Sequence, residues 1–363
     1  MKTLILPRDY CDTSTFAREE QSLFARVWQC VGFTQELANH HDFVTRDIGG
    51  SSVLVQNFDG VLRAYTNVCS HRFNRIHTQC KGNGAMQCAY HGWLYNQEGV
   101  PVGIPKKPRF DGLTSERLLE LSLAPWRVEI CGKLVFVCRD AQVPPLKEYL
   151  GSSYWLVEEM TRACGPLIDE NVMIIRANWK VLVENTLESY HVHFVHPTTF
   201  SRLSTADGVF EWQAPHSTWR TALGARFLAR LEKPMQVFAS RPMKIDGYLH
   251  QLVFPNLSLA STQGTSFSVQ FFEPIDANTT RFTSVVFQTA LAEESSPTAR
   301  STIEALNQSV KDFNRAVFSE DKGICEQVQQ GAQITNQPGL LSDEELRVYD
   351  FQKQYTIYMK DQA

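Results

Sequence analysis

Residues 67–93 read NVCSHRFNRIHTQCKGNGAMQCAYHGW. Cys69 and His71 stand two apart, Cys88 and His91 stand three apart, and sixteen residues separate the pairs. Each short spacing lets two side chains on one loop tip face a common point, so two such loops can converge on one centre. A closed zinc site needs four ligands of this kind. A [2Fe–2S] cluster with two thiolates on one iron and two imidazoles on the other needs the same four.

The surroundings separate the two readings. Each pair offers one thiol and one imidazole, as each loop must if it gives one ligand to each iron. Gly92 and Trp93 follow His91 directly: glycine permits close backbone approach to inorganic sulfur, and the indole keeps water away. Cys80, between the pairs, fits neither and reads as a plain loop residue. In these features the stretch resembles the Rieske domains of Rieske oxygenases, which carry C-x-H, then C-x2-H-G-W. It departs twice, with Phe73 where the family has glycine and Ala89 where it has proline. The resemblance implies a Rieske [2Fe–2S] cluster on Cys69, His71, Cys88 and His91.

Composition bounds the rest. A chain of 363 residues is long for one core and fits two domains. A net charge of −4 gives no reason to bind nucleic acid or an anionic membrane. Nine cysteines spread over this length are no disulfide framework. The opening MKTLILPRDY has an apolar run too short for a signal or membrane span. A cytoplasmic protein with reduced thiols is expected.

Residues 14–38 place Phe16, Leu23, Phe24, Val27 and Trp28 at roughly helical spacing, with Ser14 or Thr15 as N-cap. From 43 to 140 short β-type runs alternate with glycine, and turns are expected at 58–60 and 97–99. Paired prolines at 144 and 145 mark a break. Strand-like runs follow, then a helix over roughly 297–330. The expected class is α+β: a helical segment over 1–42 packed on the catalytic domain, a Rieske β domain over 43–153, and a helix-grip-like catalytic domain over 154–363. The last is an antiparallel sheet with a long C-terminal helix.

Residues 178–200, NWKVLVENTLESYHVHFVHPTTF, hold Glu188, His191 and His196. In an ideal helix His191 and His196 point away from each other, so they can share an ion only if the helix stops between them. Pro197 biases His196 away from helical geometry. His193 is expected to face elsewhere. Two histidines and a carboxylate make the facial triad used for O2 chemistry at Fe(II). The catalytic domains of Rieske oxygenases carry N-W-K, an acid, His three on and His five further, which Glu188, His191 and His196 match. Asn185 matches an asparagine near the iron. The resemblance puts the third ligand on the long C-terminal helix, where Asp321 is preferred over Asp312.

The resemblance further implies the terminal oxygenase component of a Rieske monooxygenase. The mononuclear Fe(II) and the cluster supply the electrons that activate O2. Glu188 bridges His191 to His91 of a neighbouring subunit in a homotrimer. Glutamate at this position leans towards the α-only members acting on quaternary ammonium compounds such as carnitine and betaines. Aromatic residues between about 200 and 290 (Trp212, Trp219, Phe227, Tyr248, Phe254, Phe267, Phe271, Phe272) are candidates for a cation–π cage or for plain sheet core. With neither a plant-type ferredoxin motif nor a G-x-G-x-x-G, NAD(P)H reaches the chain only through a separate flavin or ferredoxin-type reductase. The alternatives are an aromatic-ring hydroxylating dioxygenase, an electron-transfer Rieske protein without catalysis, and a zinc protein.

Overall fold

The computed structural model describes residues 1–203, 208–291 and 296–360. The chain forms two compact units, one of residues 17–149 and one of residues 1–16 with 150–363.

Helix α1 (Thr13–Ser22) starts on Asp12, whose carboxylate accepts from the N–H groups of Ser14 and Thr15. Asp12 therefore caps the helix, not Ser14 or Thr15. Nor does the helical pattern run to 38. Gln29–Phe33 forms strand β1, drawn into the sheet by pairing and by burial of Val31 and Phe33. Tertiary pairing overrides spacing here. Strands β2 (Asp42–Ile48), β3 (Ser51–Phe58), β4 (Val61–Thr66) and β5 (Lys81–Asn83) follow, then the small hairpin β6 (Leu94–Tyr95) and β7 (Pro101–Gly103). After α2 (Ser115–Glu120) come β8 (Pro125–Cys131), β9 (Leu134–Cys138) and α3 (Leu146–Leu150). The main sheet is antiparallel in the order β1-β9-β8-β4-β3-β2-β5. The β3–β4 turn is tight because Asp59 and Gly60 both take positive φ, 52° and 90°. Both faces of β3 are covered: Val53 and Val55 join one core, Leu54 and Phe58 the other. That explains why its sequence reads as a nearly unbroken apolar run.

The second unit continues with α4 (Ser153–Ala163), β10 (Cys164–Ile175), α5 (Trp179–Thr186) and α6 (Val192–Val195). Strands β11 (Val209–Gln213) and β12 (His216–Thr221), helix α7 (Ala225–Val237) and strands β13 (Tyr248–Val253), β14 (Leu257–Thr262), β15 (Ser266–Asp276) and β16 (Thr279–Thr289) come next. Helix α8 (Pro297–Ala332) and helix α9 (Leu346–Lys360) close the chain. The sheet is antiparallel in the order β10-β16-β15-β14-β13-β12-β11. Strand period two sorts its residues: Ser266, Ser268 and Gln270 of β15 line a cavity, while Phe267, Val269 and Phe271 are buried on the other face. One stripe of α8, Leu306, Val310, Phe313, Val317 and Asp321 at helical spacing, lines the same cavity. Helix α9 was not anticipated, although Val348, Phe351 and Tyr355 repeat at helical spacing and are buried. Among the described residues no helix is long and apolar enough to cross a membrane.

Candidate metal centres

In the 17–149 unit, two loops repeat one turn. Cys69 N–H donates to Asn74 O (2.8 Å) and Phe73 N–H to Cys69 O (2.9 Å). In the second loop Cys88 N–H donates to Trp93 O (2.9 Å) and Gly92 N–H to Cys88 O (2.9 Å). The fifth residue is left-handed in both, Phe73 at φ 62° and Gly92 at φ 73°. Buried Asn67 ties the first loop down: its side chain accepts from Ile76 and His77 N–H and donates to His77 O.

These turns bring the four predicted residues together. The His71 and His91 rings lie 4.6 Å apart, and His71 stacks on Trp93 at 4.9 Å. Cys69 and Cys88 are buried; Tyr95 Oη lies 3.1 Å from Cys69 Sγ, and Asn74 Nδ2 lies 3.6 Å from Cys88 Sγ. Burial pushes the Cys69 thiol pKa up and, with the neighbouring His91 and Arg72, pulls the His71 pKa down. His71 Nδ1 is buried with no hydrogen-bond partner. Two buried thiols and an orphaned imidazole nitrogen are the donor set that a Rieske cluster takes up. Cys80 is exposed, away from this set.

In the second unit the helix path breaks twice. Helix α5 ends at Thr186, and the single turn α6 has His191 and His196 at its two ends. His196 leaves the helical region at φ −117°, ψ 45°, immediately before Pro197. The helix does not stop between the two histidines as expected: α6 runs through Val192–Val195 between them, and the breaks flank it, at Leu187–His191 and from His196 on. One Nε2–Asp321 Oδ1 distance is 3.0 Å (His196) and the other 3.8 Å (His191), and one ligand atom from each residue lies within 4.8 Å of the others. Asp312 is exposed and accepts from Gln308 (2.8 Å), outside this group. His193 is exposed as well.

Each imidazole carries a carboxylate on its other nitrogen. Glu188 Oε1 is hydrogen-bonded to His191 Nδ1, and Glu320 Oε2 lies 2.7 Å from His196 Nδ1. A carboxylate at Nδ1 puts the proton there and leaves the Nε2 lone pair bare. Bare Nε2 atoms facing a carboxylate oxygen are acceptors facing an acceptor, and a cation resolves that conflict. Burial alone would lower the His196 pKa, but hydrogen bonds and charge from Asp321, then Glu320, raise it, so protons compete with metal at this site. Asn185 donates to Asp321 Oδ1 (2.9 Å) and fixes its rotamer.

Sequence reasoning missed Glu320, Tyr95 and the α8 contribution to the cavity. Of the eight aromatics named above, Trp219, Phe227 and Tyr248 line the cavity; Trp212, Phe254, Phe267, Phe271 and Phe272 do not. Period two could have separated Phe267 and Phe271 from the lining residues, given the register of β15.

A cluster-type loop pair in one unit and a two-histidine, one-carboxylate site in the other define an iron-dependent oxygenase α subunit. Residues 151–361 match the ring hydroxylating alpha subunit (catalytic domain) family and residues 27–118 match the Rieske [2Fe-2S] domain family. The chain belongs to the ring hydroxylating alpha subunit family, an oxidoreductase with a Rieske cluster and iron. It is 29% identical to the carnitine monooxygenase oxygenase subunit of Acinetobacter baumannii, over 89% of this chain and 83% of that one. The Escherichia coli (strain K12) carnitine monooxygenase oxygenase subunit is 30% identical over the same shares. The large oxygenase component of the naphthalene 1,2-dioxygenase system of Pseudomonas aeruginosa is 28% identical, over 88% and 78%. In fold, the chain superposes on the quaternary ammonium Rieske monooxygenase CntA in complex with L-carnitine at TM-score 0.79, 21% identity, 99% and 96% coverage.

The Phe73 backbone generates a prediction. Left-handed geometry disfavours residues with a Cβ and is worst for β-branched ones. Phe73→Gly should stabilise the 17–149 unit by about 0.5–1 kcal/mol and Phe73→Val should destabilise it, read by chemical denaturation of cluster-loaded protein. Equal stability of the three would mean that the turn does not hold this conformation in solution.

Proposed function

We propose that this chain is the terminal oxygenase of a multicomponent Rieske monooxygenase that oxidises a quaternary ammonium or N-methylated small molecule. The observation that carries this reading is the set of two Nε2 atoms and Asp321 Oδ1 opening onto a cavity of about 280 Å³, with a carboxylate behind each imidazole. Cys69, His71, Cys88 and His91 would hold the cluster, and His191, His196 and Asp321 the iron. Bound there, the iron would supply O2 activation and the cluster an electron.

The chain's own residues do the rest. Glu188 and Glu320 hold the protons on Nδ1 and so aim both Nε2 atoms inward. Asn185 keeps Asp321 Oδ1 turned towards them. Phe200, Trp219, Tyr248 and Phe313 wall the cavity beside His196, excluding water and offering ring faces to a methylammonium group. Electrons come from NAD(P)H through a separate reductase. They cross between copies in a homotrimer, from His91 of one copy through Glu188 to His191 of the next. The similarity to the carnitine monooxygenase oxygenase subunits and glutamate at 188 support the quaternary ammonium substrate class.

Oxygen uptake with a partner reductase tests the function. L-carnitine, γ-butyrobetaine or a related N-methylated compound should drive stoichiometric O2 consumption with a product heavier by one oxygen or lacking one methyl group. A cis-diol formed from naphthalene, with no reaction of N-methylated compounds, would establish the dioxygenase reading instead.

Glu188→Gln tests the bridge. The amide is neutral and a weaker acceptor for two imidazoles. The variant should keep both metal centres while cluster oxidation in a single turnover slows by about tenfold or more. Wild-type cluster oxidation would remove Glu188 from the electron path.

A further inference from the structure

Helix α9 opens with Leu-Arg-Val-Tyr, and its periodic apolar residues turn one face onto the catalytic unit. Arg347 lies on that buried face, 3% exposed, and its guanidinium lines the catalytic cavity. Nε and Nη2 donate to Ser217 Oγ (3.3 and 3.1 Å), and Nη2 also reaches His250 Nδ1 (3.2 Å). Among the described residues Nη1 has no hydrogen-bond partner and no carboxylate pairs with the group. The two acids lining the cavity, Glu188 and Asp321, are taken by the histidines. A buried guanidinium is almost always matched by an anion, because desolvating it alone is costly. Here that cost appears as a pKa pulled down to about 9 by burial.

His250 adds a second, independent donor. A guanidinium has no acceptor, so His250 Nδ1 must accept from it and carry no proton. Burial, then the charge of Arg347, holds the His250 pKa well below its usual value, so the ring is neutral. The remaining proton therefore sits on Nε2, which is buried without any partner. A cation and an N–H, both short of an acceptor, adjoin one cavity.

The cavity lining is accordingly of two kinds. Aromatic rings abut the iron site, with Phe200 6.3 Å from the His196 ring and 5.3 Å from Tyr248. Polar residues come from β13 and β15, where Ser268 lies in the same row of the sheet as His250 with Ala260 of β14 between them. We propose that Arg347, seconded by His250, binds a carboxylate of the substrate, so that the natural substrate is a small organic acid whose apolar or methylammonium end is presented to the iron. This rests on the oxygenase reading of the same cavity. It assigns a specificity-determining residue and excludes neutral hydrocarbons and simple amino alcohols as preferred substrates.

Calorimetric titration of the intact, cluster-loaded protein tests the inference without turnover. Two ligand pairs differ only in the acid: γ-butyrobetaine against its methyl ester, and 3-phenylpropanoate against 3-phenylpropanamide. In at least one pair the acid should bind wild type roughly a hundredfold more tightly than its neutral counterpart, as a desolvated charge pair does. Arg347→Met should abolish that preference while leaving the neutral ligand's affinity within about twofold, and Arg347→Lys should keep part of it. If Arg347→Met fails to fold, the wild-type pairs decide alone. Acids that bind no better than their neutral counterparts in both pairs, absence of binding included, overturn the proposal, as does a preference that survives in Arg347→Met. Acid-selective binding without O2 consumption would sink the oxygenase reading and leave this one standing.

Discussion

Two imidazoles five residues apart face one carboxylate oxygen here from the two ends of a single isolated helical turn, and the catalytic unit is organised around holding that turn. Helix α5 stops at Thr186, a single turn separates His191 from His196, and Pro197 prevents its continuation. The third group comes from 125 residues later, on a helix of 36 residues whose cavity-facing stripe carries Asp321 in register with the histidines. Because α8 also supplies Glu320 to His196 Nδ1, adjacent residues of one helix act on opposite sides of the same ring. Moving α8 by one residue would lose both contacts at once.

The two centres use the same economy. At each, a polar side chain holds a ligand from outside, at the sulfur itself in one and at the ring nitrogen away from the metal in the other. Tyr95 and Asn74 reach the Cys69 and Cys88 sulfurs, as Glu188 and Glu320 reach the histidine Nδ1 atoms. Such outer partners set ligand basicity and orientation, and around a cluster they also tune its potential. The cavity lining sets aromatic rings against the iron site and adds a buried guanidinium held by Ser217 and His250.

Much of this was legible in residues 67–93 and 178–200, because ligand spacing within a loop is a local property. Cys69, His71, Cys88 and His91 converge through turns spanning five or six residues, and Glu188 meets His191 three residues on. What failed to show was long-range. Glu320 could not be singled out because nothing local tells that His196, 124 residues earlier, will face it. Arg347 could not be singled out either, because only the packing of the unanticipated α9 buries it. Strand β1 was hidden by apolar residues whose spacing suits a helix as well as a strand, and its pairing with β9 joins segments about a hundred residues apart. The aromatic residues of the sheet could be named but not sorted, since the face each occupies depends on register.

The central claim is that His191, His196 and Asp321 hold an ion separate from the Rieske cluster. Iron analysis with visible spectroscopy on wild type, Asp321→Ala and Asp312→Ala measures it most directly. Wild type and Asp312→Ala should carry about three irons per chain, and Asp321→Ala about two, with an unchanged cluster spectrum in all three. Retention of the third iron in Asp321→Ala, or its loss in Asp312→Ala, would contradict the account.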